Sequence, residues 1–149
     1  MNKTTGRIAK TLIAGFVAAV SVVGLTGSAS ANNVSALGRG STLNGGDSIV
    51  KFGAGGQPSY ELRMQTDGNL VEYRWNNGSV DKVCWSSNSS GNGNSHATFQ
   101  NDGNFVVYRN SDNKALWASN TVGVQGSTVS VAASGSFYVG YQQINAPYC

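Results

Sequence analysis

The chain has 149 residues, of which only 11% are charged and 20 are glycine, with ten Lys and Arg against seven Asp and Glu. The cationic surplus belongs to the first 31 residues, because beyond them Arg39, Lys51, Arg63, Arg74, Lys82, Arg109 and Lys114 balance Asp47, Glu61, Asp67, Glu72, Asp81, Asp102 and Asp112. A neutral, sparsely charged body carries no phosphate-neutralising stripe, which excludes nucleic acid and anionic membranes and leaves an uncharged partner.

Residues 1–31 read as an address. Lys3, Arg7 and Lys10 form a basic leader, Thr11 to Leu25 are mostly apolar, and Ala29-Ser30-Ala31 is a small-residue cleavage site. This pattern predicts a secretory signal peptide, with an apolar run too short for a comfortable membrane span. The expectation is an extracellular domain over 32–149, not inserted in a membrane after cleavage; an uncleaved anchor is the alternative. Both cysteines, Cys84 and Cys149, lie in the exported part. In an oxidising compartment they are expected to pair, the alternative being a terminal Cys149 that bridges two chains.

Short β-rich runs separated by Gly, Asn and Ser predict an all-β domain. The stretch from Ser35 to Gly56 has strand-like pieces around Leu37, Leu43, Ile49, Val50 and Phe52. Glu61–Gln65 reads as a strand, Thr66–Asn69 as a turn and Leu70–Trp75 as the returning strand, since Asp67-Gly68 is a strong hairpin signal. Lys82–Ser86 follows as a third strand. The order then repeats: Ala97–Gln100, the turn at Asp102-Gly103, Phe105–Arg109 and Lys114–Ala118. A weathered third copy has its turn at Ser134-Gly135, and the N-terminal stretch is expected to complete that unit from the other end of the chain.

The repetition extends to side chains. Gln65, Asp67, Asn69, Val71 and Tyr73 recur 35 residues later, at identical spacing, as Gln100, Asp102, Asn104, Val106 and Tyr108. A fixed period of this size marks a duplicated supersecondary unit. Sugar hydroxyls donate and accept at once, so they suit acceptor-only Asp beside two-way amides and a phenol. No metal-ligand cluster or nucleophile accompanies either set, so neither a metal nor a cofactor is expected. The third copy has lost the set: Ala132, Ser134, Ser136, Tyr138 and Gly140 stand at the five positions.

The string Gln-x-Asp-x-Asn-x-Val-x-Tyr, twice, with Trp85-Ser86-Ser87-Asn88 and Trp117-Ala118-Ser119-Asn120 following, resembles the bulb-type (monocot mannose-binding) lectins, here in the form of a secreted member of bacterial style. The resemblance implies a β-prism of three four-stranded sheets with pseudo-threefold symmetry. It further implies that Asp67 and Asn69 hold the axial 2-hydroxyl of a mannose-like sugar, Gln65 the 3-hydroxyl and Tyr73 the 4-hydroxyl, with Val71 against the ring carbons. Asp102, Asn104, Gln100, Tyr108 and Val106 would act likewise, and the third position would bind nothing. Its members often pair by exchanging a terminal strand, so a homodimer is possible.

The expected function is therefore a lectin for mannose-containing or related neutral glycans. The alternative is a lectin-like bacteriocin that docks on envelope polysaccharide. A glycosidase is disfavoured, because each set holds one carboxylate where hydrolysis needs two flanking one bond. A β-trefoil is disfavoured by the absence of its Gln-x-Trp ending. Trp85 and Trp117 read as core residues more readily than as sugar platforms. Trp75 lies two residues beyond Tyr73 on the same strand face, has no counterpart in the second copy, and could extend the first site. His96 reads as a loop residue. Asn77-Gly78-Ser79 and Asn88-Ser89-Ser90 fit a glycosylation triplet that is common by chance.

Overall fold

Three hairpin turns of one geometry set the architecture. In each, a backbone N–H bonds the carbonyl three residues back: Gly68 to Gln65, Gly103 to Gln100 and Gly135 to Ala132. Each is closed by a bond from Gln65 N to Asn69 O, Gln100 N to Asn104 O or Ala132 N to Ser136 O, all 2.8 Å. Only the glycine takes positive φ (93°, 96° and 77°), so the loop is three residues long with a glycine bulge rather than a two-residue primed turn. At Gly68 the requirement is doubled, since a Cβ there would sit 2.0 Å from the Asn92 carbonyl oxygen.

The computed structural model describes residues 32–146 and Cys149; the segment read as a signal peptide lies outside the described residues. In chain order the strands are β1 (Asn33–Val34), β2 (Ala36–Gly38), β3 (Thr42–Asn44), β4 (Ser48–Phe52), β5 (Pro58–Met64), β6 (Leu70–Asn76), β7 (Ser79–Ser86), β8 (Ser95–Phe99), β9 (Phe105–Arg109), β10 (Lys114–Ala118), β11 (Thr128–Val131), β12 (Phe137–Val139) and β13 (Gln142–Gln143). They form three sheets, β1-β4-β5-β6-β7, β3-β8-β9-β10 and β2-β11-β12-β13. The result is the all-β prism, with one sheet of five strands because β1 runs parallel to β4.

The N-terminal stretch corrects one expectation. Only β2 completes the third unit, pairing with β11; β3 pairs with β8 and β4 with β5. The stretch thus donates one strand to every sheet, at the edge of the second and third and between β1 and β5 in the first. Its three apolar pieces are separated by turns at Gly40 and Gly46, both at positive φ, so each can bury one residue in a different sheet. Leu37, Leu43 and Ile49 are the residues that join the common core.

Alternation of buried and half-exposed residues along strands such as β8 and β11 sends one face of each sheet inward. The core holds Leu62, Met64 and Leu70 of the first sheet, Ala97, Phe99, Phe105 and Val107 of the second, and Val129, Val131, Phe137 and Val139 of the third. Trp85 joins the sheets at one point. Its ring lies 5.0 Å from Trp117 and 4.9 Å from Phe137, both edge-to-face, arrangements that contribute about 1 kcal/mol each beyond burial. Trp85 and Trp117 are therefore packed on the core, as the sequence suggested.

Cys84 and Cys149 form an intramolecular disulfide with Cα atoms 5.4 Å apart, which fastens the last residue to β7. Arg74 Nη1 donates to the Cys149 carbonyl beside it. One core position breaks the apolar pattern: Glu72 is fully covered where the other copies have Val107 and Val139.

Candidate functional site

The recurring side chains gather on the outward faces of two hairpins, and local bonds hold each of them. At the first, Asp67 Oδ1 accepts the Asn69 backbone N–H at 3.0 Å within the turn. Asn69 Oδ1 accepts three donors: Ser86 Oγ (3.1 Å), Ser87 Oγ (3.0 Å) and Ser89 N (3.1 Å). Gln65 Nε2 donates to the Tyr73 hydroxyl oxygen at 2.5 Å.

The second hairpin reproduces the arrangement. Asp102 Oδ1 accepts Asn104 N (2.9 Å), Asn104 Oδ1 accepts Ser119 Oγ (3.1 Å) and Thr121 N (3.2 Å), and Gln100 Nε2 donates to Tyr108 (2.8 Å). The serines are held in turn, since Ser87 and Ser119 Oγ also accept Leu70 N and Phe105 N.

This wiring decides what faces outward. With its carbonyl oxygen occupied, each Asn presents an NH₂ donor. Each Asp keeps Oδ2 as a bare acceptor among the described residues. Each Tyr, already accepting from Gln, has its own proton to donate, and Gln keeps Oε1 as an acceptor. Burial, with Arg63 opposing it, pushes the Tyr73 phenol above its ordinary pKa, so the proton stays on. Donors and acceptors stand together on a frame already held by local hydrogen bonds, which lowers the ordering cost of binding a polyol.

Val71 and Val106 lie between these groups on the outward face but are 4% and 2% exposed, so each offers only a small apolar patch. The sequence reading did not find Ser87, Ser89, Ser119 and Thr121, although Trp-Ser-Ser-Asn and Trp-Ala-Ser-Asn recur at matching places.

The surroundings of the two clusters differ. Register places Glu61 opposite Tyr73 and Arg63 opposite Val71, whereas His96 faces Tyr108 and Thr98 faces Val106. His96 is thus not a loop residue. Its strand begins two residues earlier than Ala97 because Ser95, Ala97 and Phe99 alternate as buried positions. Its ring lies 5.8 Å from Tyr108 and its Nδ1 bonds Asn110 Oδ1.

At the third hairpin a short hydrogen-bonded chain stands in place of the polar set. Tyr138 donates to Gln143 Oε1 (3.3 Å), and Gln143 Nε2 donates to Ser136 Oγ (3.3 Å). Gly140 stands where the other copies carry tyrosine. Among the described residues no His, Cys, Asp or Glu cluster suits a metal ion.

No family model matches the chain. It is 46% identical over 63 residues to the mannose-specific lectin of Aloe arborescens, a stretch covering 42% of this chain and 52% of that protein; the match thus spans about half the length of that curated relative. Superposition on the mannose-specific agglutinin of snowdrop (Galanthus nivalis) bulbs, a structure complexed with methyl-α-D-mannoside, gives a TM-score of 0.57 at 35% identity over 69% of this chain and 85% of that one. The chain belongs to the bulb-type lectins.

A monomeric monocot mannose-binding lectin from Gastrodia elata superposes with a TM-score of 0.59 at 27% identity, covering 75% of this bulb-type chain and 97% of its own. Membership places the protein among lectins rather than enzymes. This bulb-type lectin has a β-prism of three sheets and an end fastened by a disulfide.

Proposed function

We propose that this protein is a secreted lectin that binds mannose-type glycans without metal, through Gln65, Asp67, Asn69, Val71 and Tyr73 and again through Gln100, Asp102, Asn104, Val106 and Tyr108. One observation carries the reading: both clusters pin the same atoms and leave the same atoms free. Oδ2 of Asp and Nδ2 of Asn form an acceptor–donor pair suited to one hydroxyl. Gln Oε1 and the Tyr O–H form a second pair for its neighbours.

The names of the relatives, mannose-specific in Aloe and in snowdrop, support the sugar class. Four or five hydrogen bonds at a net ~1 kcal/mol each give a total on the order of 4 kcal/mol, which corresponds to millimolar affinity per site. Two such sites on one rigid body gain avidity on branched or repeating glycans. Export through the leader, with cleavage after Ala31, is part of the proposal and suits the disulfide.

The test is an NMR titration of the 32–149 domain with methyl α-mannoside and methyl α-glucoside, which differ at the 2-hydroxyl, each with and without a chelator. Shifts at Asn69 and Asn104 side-chain amides with the mannoside, weak with the glucoside and indifferent to chelator, are expected. Equal response to both sugars, or loss on chelation, would contradict the reading.

A further inference from the structure

The two clusters differ in what lies beyond the tyrosine. In the first copy, β6 and β7 run for 7 and 8 residues; in the second, β9 and β10 have 5 each. The longer hairpin carries Val71, Tyr73 and Trp75 on one face by period-two alternation. Cross-strand register sets Val83 beside Tyr73 and Val80 beside Trp75. Those valines are 54% and 45% exposed, unusual for large apolar side chains. At the second cluster β9 ends at Arg109, one residue past Tyr108, and its partner there is Lys114.

Trp75 does not pack on the core, yet it is held firmly. Its Nε1–H donates to Glu61 Oε2 at 3.0 Å. Glu61 is 3% exposed and is gripped by Arg63 through Nε and Nη2, both at 3.0 Å. Arg63 also lies over the Tyr73 ring, 6.0 Å from its centroid. A covered acid thus serves to orient a half-exposed indole in line with the first cluster, and the second cluster has His96 and Thr98 in place of that acid and that arginine.

We propose that Tyr73, Trp75, Val80 and Val83 form a subsite for a second sugar ring, so that the first cluster takes an oligosaccharide while the second takes a single terminal residue. This rests on the function proposed above. The step from Tyr73 to Trp75 is about 6.6 Å along the strand, so a ring on Trp75 continues the chain of a ring held by Tyr73. The C–H face of a pyranose lies on the indole and the valine methyls. Arg63, its charge balanced by Glu61, offers its remaining N–H groups to neutral hydroxyls. Because the indole is already oriented, stacking orders few side-chain torsions on binding.

The test uses the folded 32–149 domain with methyl α-mannoside and a linear α-mannotriose, in an Asp102→Ala background that leaves the first cluster and an Asp67→Ala background that leaves the second. The first background is expected to bind the trisaccharide about tenfold more tightly than the monosaccharide, the second equally. Trp75→Ala should abolish that preference with methyl α-mannoside affinity unchanged. Trp75→Phe, which keeps an aromatic face but loses the bond to Glu61, guards against a misfolded alanine variant and should lose about threefold. Retained trisaccharide preference in both variants would overturn the subsite. So would a dimer that dissociates on Trp75→Ala while sugar affinities hold, which would show the strip to be covered by a second copy. A parent protein that binds neither ligand refutes the lectin reading itself and this inference with it.

Discussion

Glu72 makes the stability of this prism depend on pH in an unusual direction. Its side chain is fully covered, Oε2 accepts from Asn145 Nδ2, and Oε1 has no partner among the described residues. Burial pushes its pKa from 4.5 up to about 8. At neutral pH the folded chain therefore holds a proton that the unfolded chain releases. Between 4.5 and 8 the native state binds more protons, so stability falls as pH rises, by up to about 1.4 kcal/mol per unit. Over that window the loss is on the order of 4–5 kcal/mol, absent below pH 4.5 and complete above pH 8.

Glu72→Gln keeps the shape and the acceptor for Asn145 but cannot titrate, and Glu72→Val copies Val107 and Val139. Urea unfolding of the three proteins at intervals across the window should show a falling midpoint for the parent chain and a flat one for Gln. The two should agree at the acid end and diverge by several kcal/mol at the alkaline end. Equal slopes in the parent chain and Glu72→Gln, or a parent midpoint that rises with pH, would refute the argument.

Other consequences are independent of this one. Reducing the disulfide releases a loop with a sequence separation of 65 and should lower stability by about 4 kcal/mol in the chain-entropy model, read from urea midpoints with and without reductant; an unchanged midpoint would contradict it. Gly68→Ala forces a Cβ against the Asn92 carbonyl at positive φ and should cost at least about 2 kcal/mol by thermal melting, with no cost expected if the turn were a simple surface loop. Ser119→Ala removes a donor to Asn104 without touching a ligand, and should weaken methyl α-mannoside at the second cluster up to about tenfold by NMR titration while leaving the first unaffected.

Much of the fold could be read from residues whose chemistry is local. Asp67-Gly68 and Asp102-Gly103 announced their turns because positive φ at one position is a property of one residue, and Ser134-Gly135 kept the same turn after losing the polar set. Trp85 and Trp117 were likewise legible as core residues, and both pack on the core. The destination of the N-terminal stretch was not legible: strands of three residues around Leu37 and Leu43 carry no signal for which sheet they join. Long-range register hid the rest. Nothing adjacent in sequence links Ser119 to Asn104, Glu61 to Trp75 or Asn145 to Glu72, and His96 looked like loop because its pattern is completed only by Ser95. The alternation within β6 marks Glu72 only as differing from Val107, and its burial depends on three sheets closing over it.

The central claim is that two equivalent, independent sugar sites stand on one chain beside a third that is lost. Calorimetric titration of the 32–149 domain with methyl α-mannoside, alongside Asp67→Ala, Asp102→Ala and the double variant, tests it most directly. Two sites per chain are expected, one removed by each substitution and none left in the double variant, with all four proteins melting alike. A single site, or binding that survives in the double variant, would contradict it.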